Sequence, residues 1–509
     1  MDSDDRISLL LSWASSNGAS LHPSVQIYDD PTTGLSFRVS PSSATPIPPY
    51  APIVNLPTNL SLSYLNALHP TPSFPRSFLA KSPPHVVGRL LLIKEYLRGA
   101  DSFWHPYIQA LPQPEDVDDW ALPPLWPEEE AELLEGTNVE IGLDKIREDL
   151  GREFRDAQKL LLASNGDAED DFSSLLTREL YQWAYCIFSS RSFRPSLVLS
   201  REQQEALLPP GVSVNDFSVL LPVFDIGNHD MTVHVRWDVT SSGGGQADAS
   251  STGGSAAAAV QLKVGREHKP GEQIFNNYSP KTNAELLLGY GFMLPITDSL
   301  HNDYIHVRKR TAAPSSSSAT SSPSSPSQSQ PGSTSPDEYL ISLRPISHPS
   351  SLLAASKQTL AVFPQGLLGA FTHVQHDMVW DIFLTLLQHS SVPLIKLIPL
   401  DKNTFPSEEE AVRQRQEKFF AGQVNDECRD FLEQTIAIIQ HKVLQELERL
   451  NETDMEVVGE DAELLSPNQR LALEYRERCR MVLENTLAAI GEDEVMQDDD
   501  DDDDGSDTA

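Results

Sequence analysis

Two short motifs, separated by a Gly- and Ser-rich insertion, constrain the fold of this chain more than any other feature. The first is an apolar run ending in two polar residues, since residues 221–229 read Leu-Pro-Val-Phe-Asp-Ile-Gly-Asn-His. The second starts as a short strand, Gly-Glu-Gln-Ile-Phe-Asn-Asn-Tyr-Ser-Pro at 271–280, and continues as Asn-Ala-Glu-Leu-Leu-Leu-Gly-Tyr-Gly-Phe at 283–292. The pattern predicts a helix over 281–290, with Ser279 as its N-cap and Pro280 in its first turn. Glu285 then has a structural hydrogen bond as its expected role.

The residues around these motifs predict small sheets interrupted by helices. Strand-like runs at 25–28, 35–39 and 53–56 lie among prolines, which is typical of small, irregular sheets. Two further strand-like runs, 233–237 and 260–264, flank the insertion. Apolar residues at helical spacing predict helices over 84–97, 143–162 and 174–188, and again over 432–450 and 471–490. The pattern therefore indicates an α+β region followed by a helical one.

Composition limits the classes of function. No apolar run of the 509 residues reaches the ~18 that a membrane span needs, and the acidic start is unlike a targeting peptide. We therefore expect no membrane association and a cytoplasmic or nuclear location, or both. The net charge of −36 argues against nucleic acid as a ligand and is compatible with a basic protein partner, or with solubility alone.

Cysteine and histidine spacing predicts no metal site. Cys186, Cys428 and Cys479 lie far apart and form no CxxC pair, which argues against a zinc module or a disulfide framework. His229 and His234 are not spaced as a usual ligand pair. The Gly-rich insertion also lacks the spacing of a phosphate-binding loop.

The two motifs together resemble those of the SET-domain protein methyltransferases. The tail at 283–292 is similar to the branch that contains the plant Rubisco large-subunit lysine methyltransferase and fungal enzymes acting on ribosomal proteins and translation factors. The resemblance is strong over residues 220–294, looser over 1–219, and in outline only beyond. It implies an α+β fold, in which a SET domain of small irregular β-sheets with a pseudoknot is split by an all-helical insert and followed by an all-α C-terminal domain. Residues 276–279 should then pass beside residues 225–229.

The resemblance and the composition together predict the domain organisation. A SET domain is expected over 1–310, with the helical insert at about 84–215 and a flexible hairpin at 241–259. A Ser/Pro-rich disordered linker follows at 311–337. A helical domain similar in position to the family's substrate-binding lobe covers 338–490, and an acidic disordered tail covers 491–509.

The resemblance implies the reaction and the residues that bind the cofactor. It implies an S-adenosyl-L-methionine-dependent protein-lysine N-methyltransferase, expected to be monomeric, whose substrate is a basic, non-histone protein, with ribosomal and translation-related proteins as candidates. Tyr278 is the implied catalytic residue, orienting the amine and accepting weak contacts from the methyl group. The implied cofactor-binding residues are Tyr278, Asn228, His229, Arg191 and Gly34.

Aromatic residues provide the expected substrate contacts. Tyr290, Phe292 and Phe224 are implied to wall the lysine channel, and Phe rather than Tyr at position 292 favours the addition of more than one methyl group. For Trp104 and Tyr107, plain aromatic packing is the favoured interpretation.

Other functions stay open at the level of sequence. A branch of the same family methylates histidine, and the motifs do not separate the two branches. A non-catalytic scaffold that holds a basic partner is supported by the acidity and by the single glycine at Gly34, where the family pattern has two. A Rossmann-type methyltransferase is disfavoured, because no strand leads into a Gly-rich loop at a helix start. Cofactor binding separates an enzyme from a scaffold.

Overall fold

The computed structural model describes residues 3–116, 122–165, 171–240, 258–309, 338–352, 369–400, 407–454 and 464–498. The predicted linker at 311–337, almost all of the predicted hairpin extension at 241–259 and most of the acidic tail lie outside these residues. The chain folds into two compact units. The first comprises Met1–Leu125 and Ile146–Ser279, and the second comprises the described residues of Trp126–Lys145 and of the chain from Pro280 onward.

Short strands of the first unit form three small antiparallel sheets. The strands are β1 Ser20–Leu21, β2 Val25–Asp30, β3 Gly34–Val39, β4 Pro52–Pro57, β5 Leu62–Ser63, β6 Ser192–Phe193, β7 Val219–Leu220, β8 Val235–Thr240, β9 Ala259–Val264 and β10 Gln273–Ile274. Their orders are β1-β4-β9-β8, β10-β3-β2 and β5-β7-β6. The predicted small sheets are confirmed, and β8 pairs with β9 across the insertion as the two strand-like runs suggested.

Helices occupy most of the remaining described chain. They are α1 Ser3–Ser16, α2 Tyr64–Leu68, α3 Arg76–Leu79, α4 Pro84–Leu97, α5 His105–Ala110, α6 Glu128–Ala131, α7 Glu140–Asn165, α8 Asp171–Leu175, α9 Arg178–Arg191, α10 Arg201–Leu207, α11 Asn283–Tyr290, α12 His376–Gln388, α13 Leu394–Leu397, α14 Glu408–Phe420, α15 Arg429–Glu452 and α16 Pro467–Asp498. The helix predicted over 174–188 is confirmed over 178–188, but it is interrupted before Arg178. Thr177 is extended and its side chain accepts a hydrogen bond from the Leu180 N–H, so α9 starts afresh after α8.

The core of the first unit positions the end of α9. This helix buries Trp183 and Ile187 and packs against α4, whose apolar face is also buried. After Arg191 the chain enters β6, which pairs with β7, and β7 leads directly into the 221–229 motif. The sheet therefore places the end of α9 beside the start of the first motif.

The second unit is mainly helical, as predicted for the C-terminal region. Its described residues include the antiparallel pair of β11 Tyr304–Arg308 with β12 Glu338–Ser342, so the predicted C-terminal domain opens with a strand. Helices α15 and α16 pack together. Pro467 begins α16, where its missing N–H costs no helical hydrogen bond, and this helix continues to Asp498. Within the described residues, no helix is long and apolar enough to cross a membrane.

Candidate active site

The two motifs cross each other in the first unit, as the resemblance predicted. His229 and Asn276 form a parallel β-bridge, in which the Asn276 N–H donates to the Asn228 carbonyl at 2.7 Å. The Asp230 N–H donates in turn to the Asn276 carbonyl at 2.9 Å. The Asn276 side chain is fully buried and accepts a hydrogen bond from the Trp237 indole at 3.1 Å. These bonds fix the position of residues 276–278 against the first motif.

Tyr278 is attached to the first motif through its backbone, its ring and its hydroxyl. Its N–H donates to His229 Nδ1 at 3.1 Å, and its ring stacks on the imidazole with centroids 4.9 Å apart. Its hydroxyl donates to the Gly227 carbonyl at 3.0 Å. Desolvation raises the pKa of Tyr278 to about 12, with a smaller opposing effect from Arg191 and a raising effect from Asp225. The phenol is therefore neutral at physiological pH.

The backbone around the crossing leaves little room. A Cβ on Gly227 would lie 3.1 Å from the Asn276 Cβ. The absence of a side chain at Gly227 therefore lets the two segments lie close together. Val223 and Ser279 both have positive φ, at 67° and 79°, which is unfavourable for residues with a side chain. Such conformations persist only where surrounding contacts hold them, and they concentrate at functional sites.

Asn228 is held by the start of β3. Its amide donates to Ser36 Oγ at 2.6 Å and to the Leu35 carbonyl at 3.2 Å. Ser36, which is fully buried, donates in turn to the Gly34 carbonyl at 2.8 Å. Gly34 has a φ of +68°, and a Cβ there would meet no atom within 4 Å. The structure thus connects Asn228 and Gly34 through Ser36, a residue that the sequence did not single out.

Arg191 lies at the end of α9 next to a carboxylate. Its Nη1 is 3.8 Å from Asp225 Oδ2, and the same oxygen accepts a hydrogen bond from the Tyr107 hydroxyl at 2.8 Å. Burial raises the pKa of Asp225 to about 6, although Arg191 and Tyr107 both act to lower it. The sequence interpretation missed this set, because Tyr107 was assigned to packing alone. The sequence feature that could have indicated this set is Asp225, the single ionisable residue in the apolar run before Gly227.

Phe224 is fully buried in an aromatic cluster. Its ring centroid lies 5.4 Å from that of Phe193 and 6.1 Å from that of Trp237, in edge-to-face arrangements. The Trp237 indole also donates a hydrogen bond to Asn276, so the aromatic cluster is connected to the crossing of the two motifs.

Tyr290 and Phe292 belong to the second unit. Their rings are edge-to-face with centroids 6.2 Å apart, and Lys281 Nζ lies 5.6 Å from the Tyr290 centroid. The helix that carries Tyr290 starts later than predicted, because Thr282, and not Ser279, is its N-cap. Glu285 completes a capping box by accepting from the Thr282 N–H at 2.8 Å, which confirms its structural role.

The described residues contain no group of three His, Cys, Asp or Glu side chains that could hold a metal ion. The described cysteines, Cys186, Cys428 and Cys479, are buried and free.

Curated proteins with similar sequences are lysine methyltransferases, whereas no family model matches the chain. The ribosomal lysine N-methyltransferase set10 of Schizosaccharomyces pombe is 26% identical over 315 residues, covering 60% of this chain and 50% of that protein. The protein-lysine N-methyltransferase EFM1 of Saccharomyces cerevisiae is 26% identical over 316 residues, covering 55% and 48%. The chain thus spans about half the length of these curated relatives.

Solved structures identify the fold. The crystal structure of the SET domain of LSMT bound to lysine and AdoHcy superposes with a TM-score of 0.59 and 18% identity, covering 97% of this chain and 93% of that one. The structure of Rubisco LSMT bound to AdoMet gives a TM-score of 0.57. The chain therefore has the SET-domain fold, and the predicted resemblance to Rubisco-type lysine methyltransferases is confirmed.

Proposed function

We propose that this chain is an S-adenosyl-L-methionine-dependent protein-lysine N-methyltransferase that acts on a non-histone protein in the cytoplasm or nucleus. The observation that carries the proposal is the crossing of the two motifs, which holds the neutral Tyr278 hydroxyl at the Gly227 carbonyl. The relatives support it, since set10 is named a ribosomal lysine methyltransferase and EFM1 a protein-lysine methyltransferase. A basic ribosomal protein is the substrate class that we propose.

Arg191 and the first motif are the residues that would hold the cofactor. When bound, S-adenosyl-L-methionine supplies a methyl group on a positively charged sulfur. Within the described residues the Arg191 side chain donates no hydrogen bond, and it keeps 24% of its surface exposed, so its planar fork is available for a carboxylate. Asn228 and His229 would contribute backbone groups, and Gly34 would allow the β2–β3 turn to approach closely.

Tyr278 would orient the substrate amine and accept polar contacts through its hydroxyl oxygen. A lysine must lose its proton before it can attack, and desolvation lowers its pKa from ~10.4 in that direction. The proton of the Tyr278 hydroxyl is directed to the Gly227 carbonyl, which leaves oxygen lone pairs to accept from the amine or from methyl C–H groups. Rate enhancement then comes mainly from holding the reactants in line.

The proposed lysine-contacting aromatics are Tyr290 and Phe292. Phe224 would contribute only indirectly, because its ring is fully buried behind the first motif. With Phe at position 292, we propose that more than one methyl group is added; a product that is monomethylated only would contradict this.

The test is to incubate the full chain with methyl-labelled cofactor and a mixture of ribosomal proteins, and to locate the label by tandem mass spectrometry. We expect label on lysine, and a loss of at least about tenfold in rate for Tyr278→Phe, the effect of one hydrogen bond of about 1.4 kcal/mol. Label on histidine would assign the chain to the histidine-methylating reaction. A folded chain that transfers no methyl to any of these proteins and binds no cofactor would favour the scaffold.

A further inference from the structure

We infer that Asp225, held in place by Tyr107, is a positioning residue for Arg191, and that tight binding of the cofactor carboxylate requires Asp225 in its ionised form. This inference rests on the proposed function. It specifies which side chain orients Arg191, the residue proposed to bind the cofactor carboxylate.

The three side chains come from separate elements and meet at one oxygen. Tyr107 lies on α5, Arg191 ends α9, and Asp225 lies in the 3₁₀ turn Phe224–Ile226. Asp225 Oδ2 accepts from the Tyr107 hydroxyl at 2.8 Å and lies 3.8 Å from Arg191 Nη1. Tyr107 is 1% exposed and the Asp225 side chain 2%, so water cannot replace either partner easily.

The distance between Asp225 and Arg191 determines what the carboxylate can do. At 3.8 Å the pair attracts electrostatically, but the separation is too long for a hydrogen bond. Within the described residues, Asp225 is the acidic side chain paired with Arg191, and the guanidinium gives it no hydrogen bond. The ionised carboxylate therefore attracts the guanidinium and orients it without accepting a hydrogen bond from it. All five N–H donors of Arg191 stay available for another ligand.

Among the described residues, the titratable side chains that interact electrostatically with Asp225 include Tyr107, Arg191 and Tyr278. Tyr107 remains protonated, because burial raises its pKa well above the usual value, and Tyr278 remains protonated with a pKa of about 12. Asp225 is the member of this set that changes charge near physiological pH, since burial raises its pKa to about 6. The pairing is therefore present at neutral pH and lost as pH falls through about 6.

The experiment is calorimetric titration of S-adenosyl-L-methionine into the full chain from about pH 8 to about pH 5.5, for wild type and three variants. For wild type, Kd should rise as pH falls through about 6. Asp225→Asn should bind about tenfold more weakly at neutral pH, with a flat pH profile across this range. Tyr107→Phe removes the hydrogen bond that stabilises the ionised carboxylate, so its inflection should move up by about one pH unit.

Tyr181→Phe is the matched control. It removes another buried tyrosine–carboxylate hydrogen bond in the same unit, from the Tyr181 hydroxyl to Glu153 at 2.9 Å, without touching Asp225. Its pH profile should match that of wild type.

Two kinds of result would overturn the inference, and they are distinguishable. If wild type binds but Asp225→Asn has the same Kd and the same pH profile, Asp225 does not position Arg191, and the proposed function stands. If folded wild type binds no cofactor at any pH, the proposed function fails as well.

Discussion

At the scale of single residues, burial raises the pKa of both Tyr278 and Asp225, with opposite consequences for their charge at neutral pH. For Tyr278 a pKa of about 12 keeps the phenol neutral, which suits a polar contact beside a methyl group. For Asp225 a pKa of about 6 leaves a charge inside the protein at neutral pH. A buried charge opposes folding unless it is paired, so Asp225 is a residue where function and stability conflict.

This conflict predicts a pH-dependent stability difference. The pKa of Asp225 is higher in the folded chain, at about 6, than the ~3.9 expected when unfolded. Its contribution to stability is thus present below about pH 4 and is lost as pH rises through about 6. Relative to wild type, Asp225→Asn should gain about 3 kcal/mol between about pH 4 and about pH 7.5. Denaturant unfolding of the cofactor-free chain measures this, and a difference independent of pH would contradict it.

At the scale of elements, the site depends on the close approach of two segments. The bridge between His229 and Asn276 and the stacked Tyr278 ring lie beside Gly227, where an added Cβ would make a tight contact with Asn276. The positive φ values of Val223 and Ser279, one on each segment, show that the backbone is strained where it enters and leaves the crossing.

Gly227→Ala should therefore separate the segments. Its Cβ would lie 3.1 Å from that of Asn276, and we expect a loss of about 1–3 kcal/mol in stability together with a larger loss of methyl transfer. Gly88→Ala is the matched control, since its Cβ would meet Phe188 and Tyr64 at an ordinary 3.6 Å within α4. That variant should be neutral or stabilised by about 0.5–1 kcal/mol. Equal melting temperatures for the two variants would contradict the account.

The sequence predicted the elements better than it predicted their contacts. Strands β2, β3, β4, β8 and β9 and helix α4 follow from local periodicity, which depends only on neighbouring residues. The N-cap at Ser279 was wrong because this residue takes a left-handed conformation to leave the crossing, while Thr282 and Glu285 form the cap. Tyr107 and Asp225 are 118 positions apart, and no local pattern in one sequence reports such a pair.

At the scale of the whole molecule, the net charge bears on the partners that we propose for this chain. A net charge of −36 would favour the approach of basic proteins over that of nucleic acid, and it is equally compatible with a role in solubility alone. The charge therefore supports the proposal of a basic protein substrate. It predicts an effect on the rate of substrate association more than on the chemical step.

The predicted consequence is a strong salt dependence of substrate capture. Raising ionic strength from about 0.05 M to about 0.5 M should lower kcat/KM for a basic protein substrate by about tenfold or more, because screening shortens the reach of the field. The value of kcat at saturating substrate should change little. Steady-state kinetics at several salt concentrations measure both, and a kcat/KM that is independent of salt would contradict electrostatic capture.

The measurement that tests the central claim most directly is a calorimetric titration of S-adenosyl-L-methionine into the full chain. We predict one cofactor per chain, affinity nearly unchanged in Tyr278→Phe, and affinity about tenfold weaker in Asn228→Ala, which loses the amide that bonds the start of β3 through Ser36. A folded wild-type chain that binds no cofactor would contradict the account and leave a protein-binding scaffold with the SET fold.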